Sequence, residues 1–148
     1  MLYAVTRGDG ISDSPVGWVA RHIRGYLRTG GQVGHRFHGR DALLLTTRGR
    51  KTGTPRRTAL YYRRDGDRYL VVASGGGEPT HPAWYLNLLA HPEVVVQVGS
   101  DVFVARARPA TPAEQPALWQ TMVAIFPKYA QYQAKTAREI PVVIIEAG

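Results

Sequence analysis

The sequence contains no cysteine, and this absence excludes several kinds of chemistry. Its 148 residues offer no thiol for a disulfide, a nucleophilic attack, an iron–sulfur cluster or a cysteine-ligated zinc site. No apolar run approaches the ~18 residues of a membrane-spanning helix. The N-terminal stretch MLYAVTRGDGISDSP also lacks the apolar segment of a secretory signal. We therefore expect a cytoplasmic protein with one domain, residues 1–148.

Lysine and acidic residues are also scarce, and the positive charge is local. The sequence has three Lys and sixteen Arg but only eleven acidic residues, which gives a net charge of +8. Residues 36–68 hold ten basic and three acidic residues, a net charge of +7, whereas residues 69–148 hold five basic and six acidic ones, a net charge of −1. Charge concentrated on one segment is typical of a protein that binds an anionic partner. A solubilising basic surface is the alternative.

Apolar spacing and turn residues predict helices and strands in a definite order. Ser14 and Pro15 predict the start of the first helix, Asp65-Gly66 predicts a hairpin, and Thr111 with Glu114 forms a capping box that opens a later helix. The predicted helices are 15–29, 82–90, 111–125 and a short one at 128–135. The predicted strands are 42–47, 58–64, 69–74, 93–98, 102–108 and 140–145.

This order predicts an α+β fold that is mainly β. Hairpins, rather than alternating strands and helices, favour a mainly antiparallel sheet and exclude a doubly wound dinucleotide-binding fold. Six such strands are expected to curl into a small barrel, with the helices packed on it. The N-terminal helical segment is residues 1–34, and the barrel with its binding region is residues 41–148.

The segment between the first two predicted strands is the most basic part of the chain. Residues 47–57 combine five basic residues with two glycines and three threonines. Glycine lets backbone N–H groups converge on an anion, and Arg and Lys supply charge and donors. The spacing differs from a Walker A loop, and a strand follows rather than a helix. A phosphate or carboxylate cradle and a solvated hairpin tip remain equally open from composition alone.

Four separated motifs, from about residue 43 to the C-terminus, resemble the deazaflavin-dependent nitroreductase family. They are TTRGRKTGTPR at 46–56, ASGG at 73–76, PAWYLNL at 82–88 and FPKYAQY at 126–132. Their shared order and spacing make the resemblance specific, whereas GRKTG alone would be weak. The resemblance implies a split β-barrel with six antiparallel strands, an N-terminal helix and two to three further packed helices.

The resemblance also implies binding of coenzyme F420, an 8-hydroxy-5-deazaflavin with a polyanionic tail of phosphodiester, lactyl and glutamyl groups. Such a tail would explain why the positive charge lies on one segment. The residues that the motifs imply for the tail are Arg50, Lys51, Thr52, Gly53, Thr54 and Arg56. Those implied for the ring and its ribityl-type chain are Thr58, Ala73, Ser74, Gly75, Gly76, Trp84 and Asn87.

A substrate side is implied as well. Ser74 or Tyr129 would polarise the acceptor or relay a proton, a role that water can also fill. The residues implied to wall the acceptor are Tyr61, Phe126, Tyr129 and Tyr132. Two positions depart from the family pattern: many relatives have Lys where this chain has Gly75, and the members that activate nitro drugs have Tyr where it has Phe126.

The residues themselves also allow structural interpretations at these places. The glycine run at 75–77 can bring bare N–H groups to a flat ring, or it can be a flexible loop. Tyr129 and Tyr132 can face one pocket or belong to an aromatic core. His35 and His38 have a ligand-like gap but no third ligand, so no metal site is expected. On the helix at 82–90, Trp84 and Asn87 are left for the site if the core face is Tyr85, Leu88 and Leu89.

The favoured function is therefore a reductase that passes hydride from reduced F420 to a small electron-poor acceptor, such as a quinone, an enone or a nitro compound. One alternative is a split barrel that binds flavin mononucleotide. Another is a basic nucleic-acid-binding module, in which loop 48–57 contacts phosphates and Tyr61 and Tyr62 stack on bases. The basic first helix suits either packing on the barrel or peripheral contact with an anionic membrane at its inner face.

Overall fold

Nine strands, four α-helices and one 3-10 turn form the part of the chain that the computed structural model describes, residues 11–147. The helices are α1 (Gly17–Thr29), α2 (Ala83–Ala90), α3 (Gln115–Ile125) and α4 (Lys128–Ala134), and the 3-10 turn is Gly75–Gly77. The strands are β1 (Ser12–Asp13), β2 (Arg36–Phe37), β3 (Arg40–Arg48), β4 (Pro55–Tyr61), β5 (Arg63–Asp65), β6 (Arg68–Val72), β7 (Glu93–Val98), β8 (Asp101–Pro109) and β9 (Val142–Ala147).

The strands form one curled sheet. Its order is β1-β4-β3-β7-β8-β9-β6-β5, and β2 pairs with β3 beside this path. Every pairing is antiparallel except that of β1 with β4. Inward-facing side chains from five strands meet in one core, which requires the sheet to wrap around them; they include Leu43, Leu45, Val71, Val94, Val96, Ala105, Val143 and Ile145. The predicted α+β class with a largely antiparallel sheet is confirmed.

All six predicted strands are present, but the predicted count of six is too low. β1, β2 and β5 are additional strands of two or three residues that depend on pairing with a neighbour, and no apolar run marks them. The predicted strand 58–64 is divided, because β4 ends at Tyr61 and β5 begins at Arg63. The Asp65-Gly66 hairpin therefore joins β5 to β6, while β4 lies between β1 and β3.

The four predicted helices are present, with shifts at their starts. α1 begins at Gly17 rather than Pro15, and Val16 is its N-cap, although the Ser14 hydroxyl still accepts the Val16 N–H at 3.4 Å. The capping box forms as predicted: Thr111 N–H donates to Glu114 Oε1 at 2.9 Å, and Glu114 N–H donates to Thr111 Oγ1 at 3.2 Å. Residues 112–114 are turns, so α3 itself begins after the box.

α1 packs on the outer face of β3 and β4. Its buried residues Val19, Ile23 and Tyr26 contact Leu44 and Ala59. Packing on the barrel, one of the two interpretations of this helix, therefore accounts for the buried part of its apolar stripe, whereas Leu27 and Trp18 stay exposed. Among the described residues, no helix is long and apolar enough to cross a membrane.

The hydroxyl of Tyr26 fastens α1 to two strands and a turn. It accepts the Gly99 N–H at 2.7 Å and lies within donating distance of the carbonyl oxygens of Ala42 (3.1 Å) and Gln97 (3.3 Å). Beside it, Gly31 approaches the turn between β7 and β8 so closely that a Cβ would lie 2.5 Å from Gly99 Cα. The end of α1 is thus bound to the sheet by polar contacts as well as apolar ones.

Replacing Tyr26 by Phe tests this contact. The half-buried Gly99 N–H would lose its acceptor, so we expect Tyr26→Phe to lower the free energy of unfolding by about 1–2 kcal/mol. Urea unfolding measures the change, and the m-value should stay constant. Tyr61→Phe is the matched control, because the Tyr61 hydroxyl makes no hydrogen bond within residues 11–147, and it should change stability by less than about 0.5 kcal/mol. Equal effects in both variants would contradict the prediction.

Candidate functional site

The basic loop, residues 48–57, comprises the last residue of β3, the connection at 49–54 and the first three residues of β4. Its backbone is held by two internal hydrogen bonds: Gly49 N–H donates to Thr54 O at 2.9 Å, and Gly53 N–H donates to Gly49 O at 2.8 Å. A Cβ on Gly49 would lie 2.9 Å from Thr54 O, and Gly53 has φ +76°, so both positions require glycine. The exposed cationic side chains on this loop are Arg48, Arg50, Lys51 and Arg56.

Asn87 on α2 anchors the basic loop. Its side chain is buried, and its Oδ1 accepts both the Arg50 backbone N–H (3.1 Å) and Arg50 Nη1 (3.2 Å). Its Nδ2 donates to Thr47 Oγ1 at 3.2 Å. The resemblance implied that Asn87 lies along the coenzyme ring, whereas the structure shows its amide engaged within the protein. Asn87 therefore sets the position of the loop.

A glycine turn, residues 74–78, follows β6. Gly75, Gly76 and Gly77 have φ values of +54°, +67° and +82°, a region that favours glycine. A Cβ on Gly77 would lie 2.7 Å from Tyr132 O, so the turn lies directly against α4. Lys135 Nζ, just after α4, donates to Gly76 O at 3.0 Å. These contacts hold the run in one conformation, unlike the flexible loop that composition alone allowed.

Arg138, which the sequence analysis did not identify, holds the same turn from one side. Its Nη2 donates to Ser74 O at 2.7 Å, its Nη1 to Ala73 O at 3.3 Å, and its Nε to Glu78 O at 2.9 Å. Nη1 also lies 3.2 Å from His81 Nδ1. Burial, with a further contribution from the Arg138 charge, lowers the pKa of His81, so a neutral ring accepts this bond. The sequence shows it only as an arginine between Lys135 and Glu139, which is not a specific signal.

α2 connects the basic loop to the glycine turn. His81, just before the helix, contacts Arg138, and Asn87 near its end binds Arg50. Trp84 lies three residues before Asn87 and therefore on the same side of the helix, where it is half-buried. Because eight helical residues span about 12 Å, the two regions lie within the length of a small coenzyme.

Four aromatic side chains form a cluster beside the glycine turn. The ring of Phe126 lies 5.3 Å from that of Tyr61, 4.9 Å from that of Tyr129 and 6.2 Å from that of Tyr132, between centroids. The structure thus brings together all four residues implied to wall the acceptor. Arg40 covers one side, with its guanidinium carbon 4.6 Å from the Phe126 centroid and its Nε donating to Ile125 O at 2.8 Å.

The members of this aromatic cluster differ in burial. Tyr129 is only 5% exposed and packs with Met122 and Ile140 on the outer face of the sheet, while the other three are half-buried. Burial raises the pKa of the Tyr129 hydroxyl far above its usual range, so it keeps its proton at physiological pH. This environment favours the aromatic-core interpretation of Tyr129.

Some of the residues implied by the resemblance do not present a side chain to the basic loop, the glycine turn or the aromatic cluster. Thr58 lies on the face of β4 that also carries Leu60, which packs in the barrel core, and strand alternation puts Tyr61 on the opposite face. Ala73 is fully buried, and both of its backbone groups are engaged within the protein: its N–H donates to Pro141 O at 3.0 Å, and its carbonyl oxygen accepts from Arg138. On α2 the predicted core face holds for Tyr85 and Leu88 but is wrong for Leu89, which is 48% exposed.

A curled antiparallel sheet with outer helices, and a basic loop beside a turn with bare N–H groups, characterise a split-barrel oxidoreductase that takes a cofactor with an anionic group. The family model for F420H(2)-dependent quinone reductase matches residues 18–147. A Mycobacterium tuberculosis (strain H37Rv) protein named F420H(2)-dependent quinone reductase is 43% identical over 141 residues, which cover 86% of this chain and 95% of that protein. The chain therefore belongs to the F420H(2)-dependent quinone reductase family.

Solved structures agree with this assignment. An F420-H2 dependent reductase, FDR-A, has 42% identity and a TM-score of 0.65, covering 71% of this chain and 93% of its own. A structure described as a domain-swapped dimer has 40% identity and a TM-score of 0.68, covering 90% of this chain and all of its own. The heme storage protein HutZ of Vibrio cholerae, at 15% identity and a TM-score of 0.54, shares the fold alone.

These matches confirm the predicted oxidoreductase class and F420 as its cofactor. They support neither the flavin mononucleotide nor the nucleic-acid alternative. The family match begins at residue 18, so it includes α1, which the motif resemblance left out. Among the described residues, no group of three His, Asp or Glu is placed to hold a metal ion.

Asn87→Leu tests whether the buried amide holds the basic loop. The change removes three hydrogen bonds and leaves the buried Thr47 hydroxyl without its donor, so we expect the free energy of unfolding to fall by about 1–3 kcal/mol. Because the loop contains five basic residues, limited trypsin digestion followed by mass spectrometry should show faster cleavage between residues 48 and 57. Leu89→Asn, at an exposed position on the same helix, is the control and should digest at the wild-type rate. An unchanged cleavage rate in Asn87→Leu would show that the loop holds itself.

Proposed function

We propose that this protein transfers hydride from reduced F420 to a quinone, and that both molecules bind along α2 between the basic loop and the glycine turn. The observation that carries this proposal is the group of exposed cations on a loop whose backbone is fastened to buried Asn87. A ligand with several negative charges gains from cations held at fixed positions, because less side-chain and loop entropy is lost on binding.

The coenzyme tail is assigned to the basic loop. Arg50 and Arg56 offer planar forked donors for phosphate and carboxylate groups, and Lys51 offers a compact charge. Two backbone hydrogen bonds keep the loop closed before the ligand arrives. The remaining proposed contacts to the tail are Thr52, Gly53 and Thr54.

The coenzyme ring is assigned to the glycine turn and Trp84. Gly75 and Gly76 carry no side chain that would keep a ligand from their N–H groups, which can donate to ring oxygens. Trp84 supplies a flat, half-buried surface. Ala73 acts through Arg138, which donates to its carbonyl oxygen, and Asn87 acts through Arg50. Thr58 and the Ser74 hydroxyl remain proposed contacts on the motif resemblance.

The acceptor is assigned to the aromatic cluster. When bound, the reduced deazaflavin supplies a hydride, so the protein must orient a flat electron-poor molecule and limit water around it. The half-buried rings of Tyr61, Phe126 and Tyr132 offer a wall of that shape, and membership of the quinone reductase family favours quinones over enones and nitro compounds. Ser74 or water is the proposed proton source; Tyr129, whose buried hydroxyl stays protonated, would have to act from behind this wall.

Location and domain organisation belong to this proposal too. α1 leaves Val16 and Trp18 exposed beside Arg21 and Arg24, a surface that suits peripheral contact with anionic lipid at the inner face of a membrane. Such contact would bring a cytoplasmic enzyme to a lipid-soluble quinone. One sheet that extends from Ser12 to Ala147 supports the assignment of residues 1–148 to one domain.

Titration of the pure protein with ligands tests the coenzyme assignment. We expect oxidised F420, followed by its fluorescence, to bind with a Kd of about 1 μM or tighter, and flavin mononucleotide to bind at least about tenfold more weakly. The reason is that the basic loop matches several negative charges rather than one phosphate. Anaerobic mixing with reduced F420 should then show faster oxidation by a soluble naphthoquinone than by a nitroarene. Equal affinity for the two coenzymes would refute the assignment.

Simultaneous replacement of Arg50, Lys51 and Arg56 by Ala tests the tail contacts. Each charge-assisted hydrogen bond contributes about 1.5–3 kcal/mol, so the Kd for F420 should rise at least about a hundredfold and depend less on salt. Tm should change little, because the three side chains are exposed. The control removes the same charge elsewhere, at exposed Arg24, Arg63 and Arg106, and should bind normally. A lower Tm with unchanged affinity would make the loop structural.

A further inference from the structure

Three of the five carbonyl groups of the glycine turn, and that of Ala73 just before it, accept hydrogen bonds from cationic side chains. The Arg138 guanidinium donates to the carbonyl oxygens of Ala73, Ser74 and Glu78, and Lys135 Nζ donates to that of Gly76. Neither cation is used by the proposed tail or acceptor contacts. A guanidinium that binds three backbone carbonyls of one short turn restricts the orientation of several peptide planes at once.

This restriction determines the direction of the opposite N–H groups. In a trans peptide unit the C=O and N–H point in opposite directions. Since Arg138 binds the oxygens of Ala73 and Ser74, the N–H groups of Ser74 and Gly75 point away from Arg138. Within the described residues neither N–H donates a hydrogen bond, whereas those of Gly77 and Glu78 close the turn on Ser74 O and Gly75 O.

The backbone conformation makes these two N–H groups converge. Ser74 is right-handed (φ −79°, ψ −39°), and Gly75, with φ +54°, is left-handed. Successive residues of opposite hand form a concave set of N–H donors that suits an anionic or electron-rich oxygen. The Arg138 charge behind the same peptide units adds positive potential to the concave side, and this potential is screened less than at a free surface because Arg138 is half-buried.

We propose that Arg138 is a positioning residue for the coenzyme, which fixes and polarises the Ser74 and Gly75 N–H groups so that they bind an electron-rich atom of the deazaflavin ring. The proposal rests on the proposed F420 function and assigns Arg138 no direct contact with the coenzyme. His81 supports the guanidinium by accepting from Nη1, and its neutral ring adds no competing charge.

Two ligands separate this role from tail binding. The first is complete F420, and the second is its tail-free fragment, the deazaflavin ring with its ribityl chain only. Arg138→Gln should raise the Kd of both ligands by about tenfold or more, since the loss of two oriented donors affects the ring. The Arg50, Lys51 and Arg56 triple variant should raise the Kd of complete F420 only. In 15N NMR, the Gly75 amide of the wild type should shift when the fragment binds, and this shift should be lost in Arg138→Gln.

Two more variants serve as controls. Arg106→Gln removes an exposed arginine on β8 and should bind both ligands as the wild type does. Arg138→Lys keeps the charge but lacks the planar fork, so an intermediate Kd for the fragment is expected with a Tm close to that of the wild type. If Arg138→Gln is too unstable to titrate, Arg138→Lys decides the question.

The outcomes are distinguishable. The positioning role would be overturned if Arg138→Gln bound the fragment with the wild-type Kd, or if Arg138→Lys did so where Arg138→Gln is too unstable to titrate. Weaker binding of complete F420 alone would overturn it too, because Arg138 would then be a direct tail ligand. If the wild-type protein binds neither ligand, the proposed function fails instead.

Discussion

The candidate site depends on β3 being buried on both faces and paired on both edges. Leu43 and Leu45 point into the barrel core, Leu44 points to α1, and β4 and β7 occupy the two edges. Pairing on both edges determines the register of β3, since Leu45 lies opposite Thr58 of β4 on one side and Val96 of β7 on the other. Thr47, the last buried residue of this strand, therefore delivers the start of the basic loop to one place in the molecule.

Two polar side chains then fix the basic loop and the glycine turn in position on the sheet. Asn87 holds the basic loop to α2, and Arg138 holds the glycine turn, each through several hydrogen bonds to one short segment. Apolar packing alone orients loops poorly, because a loop has few buried side chains and many backbone polar groups to satisfy. The exposed cations that this frame carries contribute little to stability themselves.

Local chemistry made much of the fold predictable. Apolar runs marked the six longer strands, Pro82 and Pro127 marked the helix boundaries, and the reciprocal bonds of Thr111 and Glu114 formed as their spacing predicted. The short strands β1, β2 and β5 were not predictable in this way, because each is stabilised by a partner strand rather than by its own composition. The break between β4 and β5 after Tyr61 was not predictable either, because β5 pairs with β6 rather than continuing β4.

The sequence by itself determined the elements, the basic loop and the family motifs, since each is encoded by neighbouring residues. Only the tertiary structure decided which of these side chains are engaged within the protein and which stay exposed. Asn87 bonds inward to Arg50, Tyr129 is buried on the outer face of the sheet, and Arg138 acts on a turn more than sixty residues earlier in the chain. The physical reason is that burial and hydrogen-bond partners arise where distant segments meet, and no local pattern records that meeting.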